Sequence, residues 1–243
     1  MIKVIVNGAK GRMGKEAVNA ITNDAQLELV AGCDYKDDLA AIIKETGAQV
    51  VVDLTAASAG YDNTQTILNA GACPVIGTSG FQVDQVKELQ RLAVSKQLGG
   101  LIAPNFSIGA VLMMQFSVQA AKYFPDAEII EAHSPQKEES PSGTGIRTAE
   151  LIAAARAKSP TKCSDKELIE GARGAELHDV KIHSLRLPGI VAQQIVFFGG
   201  VSETLKIEHN SQHRESFMPG ICLACKEVIK RNELVYGLEH LMG

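Results

Sequence analysis

Residues 4–18 read VIVNGAKGRMGKEAV. A short β-branched apolar run is followed by glycines at 8, 11 and 14, and then by a stretch with helical periodicity. Strand, glycine-rich turn and helix in immediate succession leave few folds open. The glycines permit a tight turn and let the backbone approach a pyrophosphate closely. The helix start then presents unpaired N–H groups to the anion. The spacing G-x-x-G-x-x-G is a variant of the dinucleotide fingerprint, in the strand-to-helix context that the fingerprint requires. The next strand ends at Asp34, 20 residues beyond Gly14. An acid there accepts hydrogen bonds from a ribose hydroxyl. Lys36, two residues on, could instead meet a 2′-phosphate, so NADH, NADPH or both are expected as cofactor.

The alternation continues. KVIVNG, LELVAGCD, AQVVVDLT, PVIGTSG and GGLIAPNF read as short buried strands. GKEAVNAITN, DDLAAIIKETG, SAGYDNTQTILNAG and QVDQVKELQRLAVSKQ between them read as helices. This is the rhythm of a doubly wound parallel sheet, whose ligands bind beyond the carboxyl ends of the strands. The loops there are DLTAAS, GTSGF and APNFS, and their small and polar groups could frame a nicotinamide. After residue 106 the pattern changes to long adjacent strands, VKIHSLRLP, IVAQQIVFFGG and ETLKIEHN. The expected organisation is an α/β chain. Residues 1–106 and 217–243 form an N-terminal Rossmann-like doubly wound parallel sheet, closed by a final helix. Residues 107–216 form a central α+β domain with a mixed or antiparallel sheet.

Composition removes several function classes. The 243 residues are 45% hydrophobic and 21% charged, with a formal net charge of −4 and no long basic run, so the electrostatic footprint of a nucleic-acid partner is missing. No apolar stretch approaches the roughly 20 residues that span a bilayer, and the first residues do not read as a signal peptide. A cytoplasmic location is expected, without membrane or nucleic-acid partners. The five cysteines are scattered and odd in number, which argues against a disulfide framework. Cys222 and Cys225 make a lone CxxC near His209 and His213. Helical periodicity places them on a packed helix face, so no metal is expected.

EAHSPQKEESPSGTG, residues 131–145, holds the other candidate chemistry. AEIIEAH alternates as a strand, so His133 falls at its end. Pro135 excludes a continuing helix, and Lys137 lies in the loop that follows. Ser142, Gly143 and Thr144 open a helix expected at about 145–158, with a capping oxygen and free N–H groups suited to a carboxylate. Lys137 supplies charge or a proton, and His133 titrates near neutral pH. A small acid could sit among them.

At these residues the chain resembles the 4-hydroxy-tetrahydrodipicolinate reductase family, also called dihydrodipicolinate reductase. The resemblance runs through GAKGRMG at 8–14, GTSGF at 77–81, APNFSIGAVL at 103–112 and H…K…PSGTG at 133–145. It continues in GARGAELHDVKIHSLRLPG at 171–189 and RESFMPG at 214–220. It implies NADH- or NADPH-dependent reduction of a cyclic dicarboxylate to tetrahydrodipicolinate, in diaminopimelate and lysine biosynthesis, with loss of water. It also implies a homotetramer assembled through the central sheet, in which one domain closes over the other. By the same resemblance, His133 and Lys137 are the catalytic proton donors or acceptors. Gly143 and Thr144 hold a substrate carboxylate. Gly8, Ala9, Lys10, Gly11, Arg12, Met13, Asp34, Gly77, Thr78, Ser79, Ala103, Pro104, Asn105 and Phe106 contact the cofactor.

Departures from the family pattern are Ser134, where a second histidine contacts substrate, the pair Glu138 and Glu139, Gln193 in place of a histidine, and Leu54 in place of a phenylalanine. They motivate two alternatives: a related nicotinamide-dependent reductase with a shifted substrate, and a non-catalytic nucleotide-binding sensor. A semialdehyde dehydrogenase would need a nucleophilic cysteine among the cofactor-side loops, where only Cys33, beside Asp34, is available.

Overall fold

The computed structural model describes residues 1–78, 80–161 and 166–242; Ser79, one of the expected cofactor contacts, and Cys163 lie outside them. The chain divides into two units, Met1–Ile108 with Arg214–Gly243, and Gly109–His213.

Strand and helix alternate through the first stretch: β1 (Ile2–Asn7), α1 (Arg12–Thr22), β2 (Leu27–Cys33), α2 (Leu39–Thr46), β3 (Val50–Asp53), α3 (Gly60–Asn69), β4 (Cys73–Ile76), α4 (Val83–Lys96) and β5 (Gly100–Ile102). Then come α5 (Ile108–Ala121), β6 (Asp126–His133), α6 (Gly143–Ala155), β7 (Ala175–Leu177), β8 (Val180–Arg186), β9 (Ala192–Gly200) and β10 (Glu203–Ser211). Finally α7 (Met218–Val228) and β11 (Leu234–Tyr236) return the chain to the first unit.

The first unit is one parallel sheet in the order β11-β5-β4-β3-β1-β2. The chain moves from β1 to one side for β2 and to the other side for β3. The switch point, where a doubly wound sheet opens a crevice for ligand, therefore lies between β1 and β3. Val4, Ile5 and Val6 of β1 and Val50, Val51 and Val52 of β3 are fully buried, which is why their sequences show no polar alternation. Local signals set the helix ends. Asp38 accepts from the Ala41 N–H at 3.0 Å to start α2, and Gly47 ends it at φ 62°. Strand β11 escapes a sequence reading because its three residues carry almost no periodicity; it exists through parallel pairing with β5.

The second unit is a mixed sheet in the order β10-β9-β6-β8-β7, with β6 and β8 parallel and the other neighbours antiparallel. One face is apolar where Ala127 and Ile129 of β6, Val180 and Ile182 of β8, and Val196 and Phe198 of β9 pack with Met113, Ala149 and Ile152. Each large side chain buried there stabilises by about 1.5–3 kcal/mol. The same face turns polar toward the carboxyl ends of β6 and β8, where Glu131 pairs across from Ser184 and His133 from Arg186. Helix α6 begins at Gly143, two residues before the expected start, because the Ser142 hydroxyl accepts from the Gly145 N–H at 3.1 Å. The opposite face carries Ile130, Leu185, Ile195 and Phe197. Among the described residues no helix is long and apolar enough to cross a membrane.

Candidate active site

In the first unit, the turn after β1 explains the glycine spacing. Gly8 has φ +84°, and its N–H and that of Ala9 both donate to the Cys33 carbonyl, at 2.8 and 3.1 Å. The Gly11 N–H donates to the Gly8 carbonyl at 3.0 Å. A Cβ on Gly14 would overlap that carbonyl oxygen and lie 2.9 Å from the Ala9 Cα. The loop thus rests directly on the first turn of α1. Gly11 caps α1 with no side-chain hydrogen bond, leaving bare backbone at the positive end of the helix. Lys10 and Arg12 are exposed on this loop, and Met13 is half-buried.

Asp34, just past β2, reaches back to the same loop: its carboxylate lies 3.4 Å from the Lys10 ammonium. The Lys36 ammonium sits 5.6 Å from the Tyr35 ring centroid. At the ends of β4 and β5, a Cβ on Gly77 would come within 2.7 Å of the Leu54 side chain and 2.8 Å of the Phe106 ring. The Ala103 N–H donates to the Ile76 carbonyl, and the Asn105 side chain accepts from the Ser107 N–H at 2.8 Å. Pro104 is exposed. The Thr78 hydroxyl is buried and has no hydrogen-bond partner among the described residues, which is costly unless a ligand supplies one. The glycine cradle and this orphaned hydroxyl fit a nicotinamide dinucleotide.

Sequence reasoning missed the carboxylate that organises these loops. Asp53 is fully buried and accepts from Asn7 (3.2 Å), Asn63 (2.7 Å) and both the backbone and hydroxyl of Thr55 (3.0 and 2.6 Å). It ties the ends of β1 and β3 to α3. Cys33 is buried, and burial together with Asp37 and Asp34 pushes its thiol up. That is the reverse of what activates a nucleophile.

In the second unit, Glu131 is fully buried at the polar end of the sheet. It lies 2.6 Å from His133 Nδ1 and accepts a forked pair of bonds from Arg186, at 3.1 and 2.9 Å. The Ser142 N–H, at the start of α6, donates to it at 3.3 Å. Burial pushes this carboxyl up, but bonds from His133, Arg186 and Ser184 prevail and hold it at about 2. Lys137 follows a turn in which its N–H donates to the Ser134 carbonyl at 3.1 Å. Its ammonium lies 3.7 Å from exposed Glu139. Glu138 is exposed and Ser134 half-buried. Gly143 is exposed, and a Cβ there would meet no atom within 4 Å. The structure thus brings His133, the Lys137 loop and the N-terminus of α6 together around Glu131 and Arg186.

Gln193 is not part of this cluster. It pairs with Ala132 on the opposite face of the sheet and donates to Glu208 at 2.8 Å. Its neighbour Gln194 is the one on the Glu131 face, buried, donating to the Thr148 hydroxyl at 2.7 Å. A one-residue offset in a strand exchanges faces. The groove of about 850 Å³ lined by Glu128, Arg173, His183 and Phe197 also opens on the opposite face, away from His133.

Comparison with known proteins gives a consistent result over the whole length. The model of the N-terminal part of dihydrodipicolinate reductase matches residues 2–106, and that of the C-terminal part matches residues 109–242. The chain is 55% identical over 240 residues to 4-hydroxy-tetrahydrodipicolinate reductase of Legionella pneumophila (strain Philadelphia 1), covering 99% of each chain. It is 51% identical to the enzyme of the same name from Streptococcus gordonii, again over 99% of each. Among solved structures, dipicolinate-bound dihydrodipicolinate reductase from Paenisporosarcina sp. TG-14 superposes with a TM-score of 0.92 at 41% identity, covering 99% of both chains.

Proposed function

Because the chain belongs to the dihydrodipicolinate reductase family, we propose that it reduces 4-hydroxy-tetrahydrodipicolinate to tetrahydrodipicolinate with NADH or NADPH. The observation that carries this reading is the cluster at the polar end of the second unit's sheet: an imidazole, the backbone of the loop that carries Lys137 and a helix N-terminus within one hydrogen-bonded set. A sensor that only binds nucleotide has no need of it.

The nucleotide is held by Gly8 to Met13, Asp34, Gly77 to Ser79 and Ala103 to Phe106, and when bound it supplies the hydride. The net change is gain of a hydride and a proton and loss of the hydroxyl as water. The backbone N–H groups of Gly143 and Thr144, at the positive end of α6, hold one carboxylate of the diacid. The Ser134 hydroxyl donates a hydrogen bond to it. The Lys137 ammonium delivers the proton, and His133 exchanges one through Nε2, since Nδ1 is engaged by Glu131.

The same reading makes the protein a cytoplasmic homotetramer. The open sheet face supports this, since Leu185 and Phe197 are each 37% exposed and flank half-buried Ile130 and Ile195. Sedimentation velocity checks the assembly, and a monomer at micromolar concentration refutes it.

The test of activity generates the substrate from pyruvate and aspartate semialdehyde and follows NADH and NADPH consumption. Consumption proportional to protein concentration is expected. In Lys137→Ala turnover falls by about 10²–10⁴-fold while nucleotide binding persists. Equal turnover in variant and parent removes Lys137 from the chemistry.

A further inference from the structure

Arg186 looks at first like a binder for a substrate carboxylate, since a guanidinium beside His133 matches a diacid's planar anion. Its hydrogen bonds say otherwise. A guanidinium has five N–H donors. Nε donates to the Lys137 carbonyl at 3.3 Å. One Nη1 donor goes to Glu131 Oε2 at 3.1 Å and one to the Leu185 carbonyl at 2.7 Å. One Nη2 donor goes to Glu131 Oε1 at 2.9 Å and one to the Glu139 carbonyl at 2.6 Å. Every donor is spent inside the protein. Two of them end on the backbone of the loop that carries Lys137, and two on the carboxylate that touches His133.

We propose that Glu131 and Arg186 are positioning residues that act as one unit. Arg186 clamps the backbone of the Lys137 loop to the strand that carries His133, and Glu131 fixes which nitrogen of His133 bears the proton. Neither touches substrate. The proposal rests on the functional reading of His133 and Lys137 given above and adds how they are held.

The tautomer follows from donor bookkeeping. Glu131 is ionised, so it is an acceptor only. With Arg186 on both its oxygens, it can meet His133 Nδ1 at 2.6 Å only as acceptor of an N–H. In the neutral ring the proton is therefore on Nδ1, and Nε2 is left as the acceptor that exchanges protons with substrate. The loop follows from backbone accounting. Residues 134–142 belong to no helix or strand, so their carbonyls have no ladder to satisfy them. Arg186, reaching from β8, supplies donors to two of them. The site's precision thus comes from the paired strands rather than from the loop.

The decisive variant is Glu131→Gln in the full-length protein, nearly isosteric and still able to accept from Arg186. In the parent, long-range ¹H–¹⁵N spectra of the neutral imidazole show the Nδ1–H tautomer; in Glu131→Gln they show a mixture. Turnover drops by about 10–100-fold, in the range seen for outer partners of functional histidines, while KM for the diacid and nucleotide affinity stay near parental values. Arg186→Lys keeps the charge but loses the fork; it lowers turnover and speeds hydrogen exchange at the Lys137 amide, again with KM near parental. An unchanged tautomer in Glu131→Gln, or a loss in either variant that falls on KM for the diacid with turnover intact, overturns the proposal. His133→Ala and Lys137→Ala serve as references. If both retain parental turnover, the functional reading has failed. If both lose it while Glu131→Gln and Arg186→Lys do not, only the positioning role has failed.

Discussion

Glu131 makes stability depend on pH in a calculable way. Its carboxyl ordinarily titrates at 4.5, and the folded protein holds it at about 2. Above pH 4.5 it is ionised in both native and unfolded chains, and the full benefit of its bonds to His133 and Arg186 is present. Between pH 4.5 and 2 the unfolded chain takes up a proton that the native chain refuses, so stability falls by about 1.4 kcal/mol per pH unit. Below about pH 2 both states are protonated and the contribution, about 3 kcal/mol in all, is gone. Other carboxyls lose stability in acid as well: Glu128 is held down by His183 and Arg173 against its burial, and Asp24 by Lys226. A single acid-unfolding curve therefore cannot isolate the pair of Glu131 and His133, but its difference from the Glu131→Gln curve does, because groups remote from the pair cancel. Urea unfolding followed by far-ultraviolet circular dichroism, at steps from pH 6 to pH 3, gives the stability gap between parent and variant. From the linkage slope, the gap shrinks by about 2 kcal/mol over that range. Parallel curves would refute the reasoning, since they would mean that the carboxyl in the native protein is not the ionised partner of Arg186.

Three more outcomes are expected. Gly14→Ala drives a methyl into the Gly8 carbonyl; overpacking of this kind costs about 1–3 kcal/mol, so thermal unfolding moves down and NADH fluorescence titration shows weakened binding, whereas Gly47→Asn at a left-handed position with open space leaves binding unchanged. Asp34→Ala removes the proposed ribose acceptor and releases Lys10; it weakens NADH by about tenfold, a lost charged hydrogen bond, and NADPH by less, as paired titrations will show. Cys225 is fully buried, and burial, with Cys222 and Asp24 nearby, pushes its thiol far up, so native-state labelling with a thiol reagent reaches half-buried Cys222 before Cys225, as peptide mapping will show.

The first unit was readable because its information is local. A β-branched run, glycines three apart and a helix face identify β1, its turn and α1 within fifteen residues, and the parallel sheet follows from repetition. The second unit was less so, although one signal went unused. In DAEIIEAH, Ala127, Ile129, Glu131 and His133 share a face, so Glu131 stands in an apolar register and had to have a buried partner. What the strand could not reveal is who that partner is. Arg186 lies 55 residues away, and it faces Glu131 only because β8 pairs with β6 in parallel, a neighbour relation absent from local periodicity. Asp53 was hidden in a similar way: it closes an apolar strand, and its distant donors, Asn7 and Asn63, come from β1 and α3.

The places where this chain departs from the family pattern fit the way the Lys137 loop is held. Arg186 bonds to the carbonyl oxygens of Lys137 and Glu139, and the Lys137 N–H bonds to the carbonyl of Ser134. These contacts use backbone groups, so the side chains at 134, 138 and 139 can change without moving the loop. Glu138 points into solvent, where an added negative charge is screened beyond about 8 Å at physiological salt, whereas the exposed Glu139 carboxylate lies 3.7 Å from the Lys137 ammonium. Ser134 is different, because it adjoins His133 and retains a donor. If that donor faces the bound diacid, Ser134→His adds a cation there in acid and tightens the diacid below neutral pH, with Glu138→Gln changing little. An effect of Glu138→Gln larger than that of Ser134→His would place substrate against the outer edge of the loop, and the backbone clamp would then be holding the wrong face toward the chemistry.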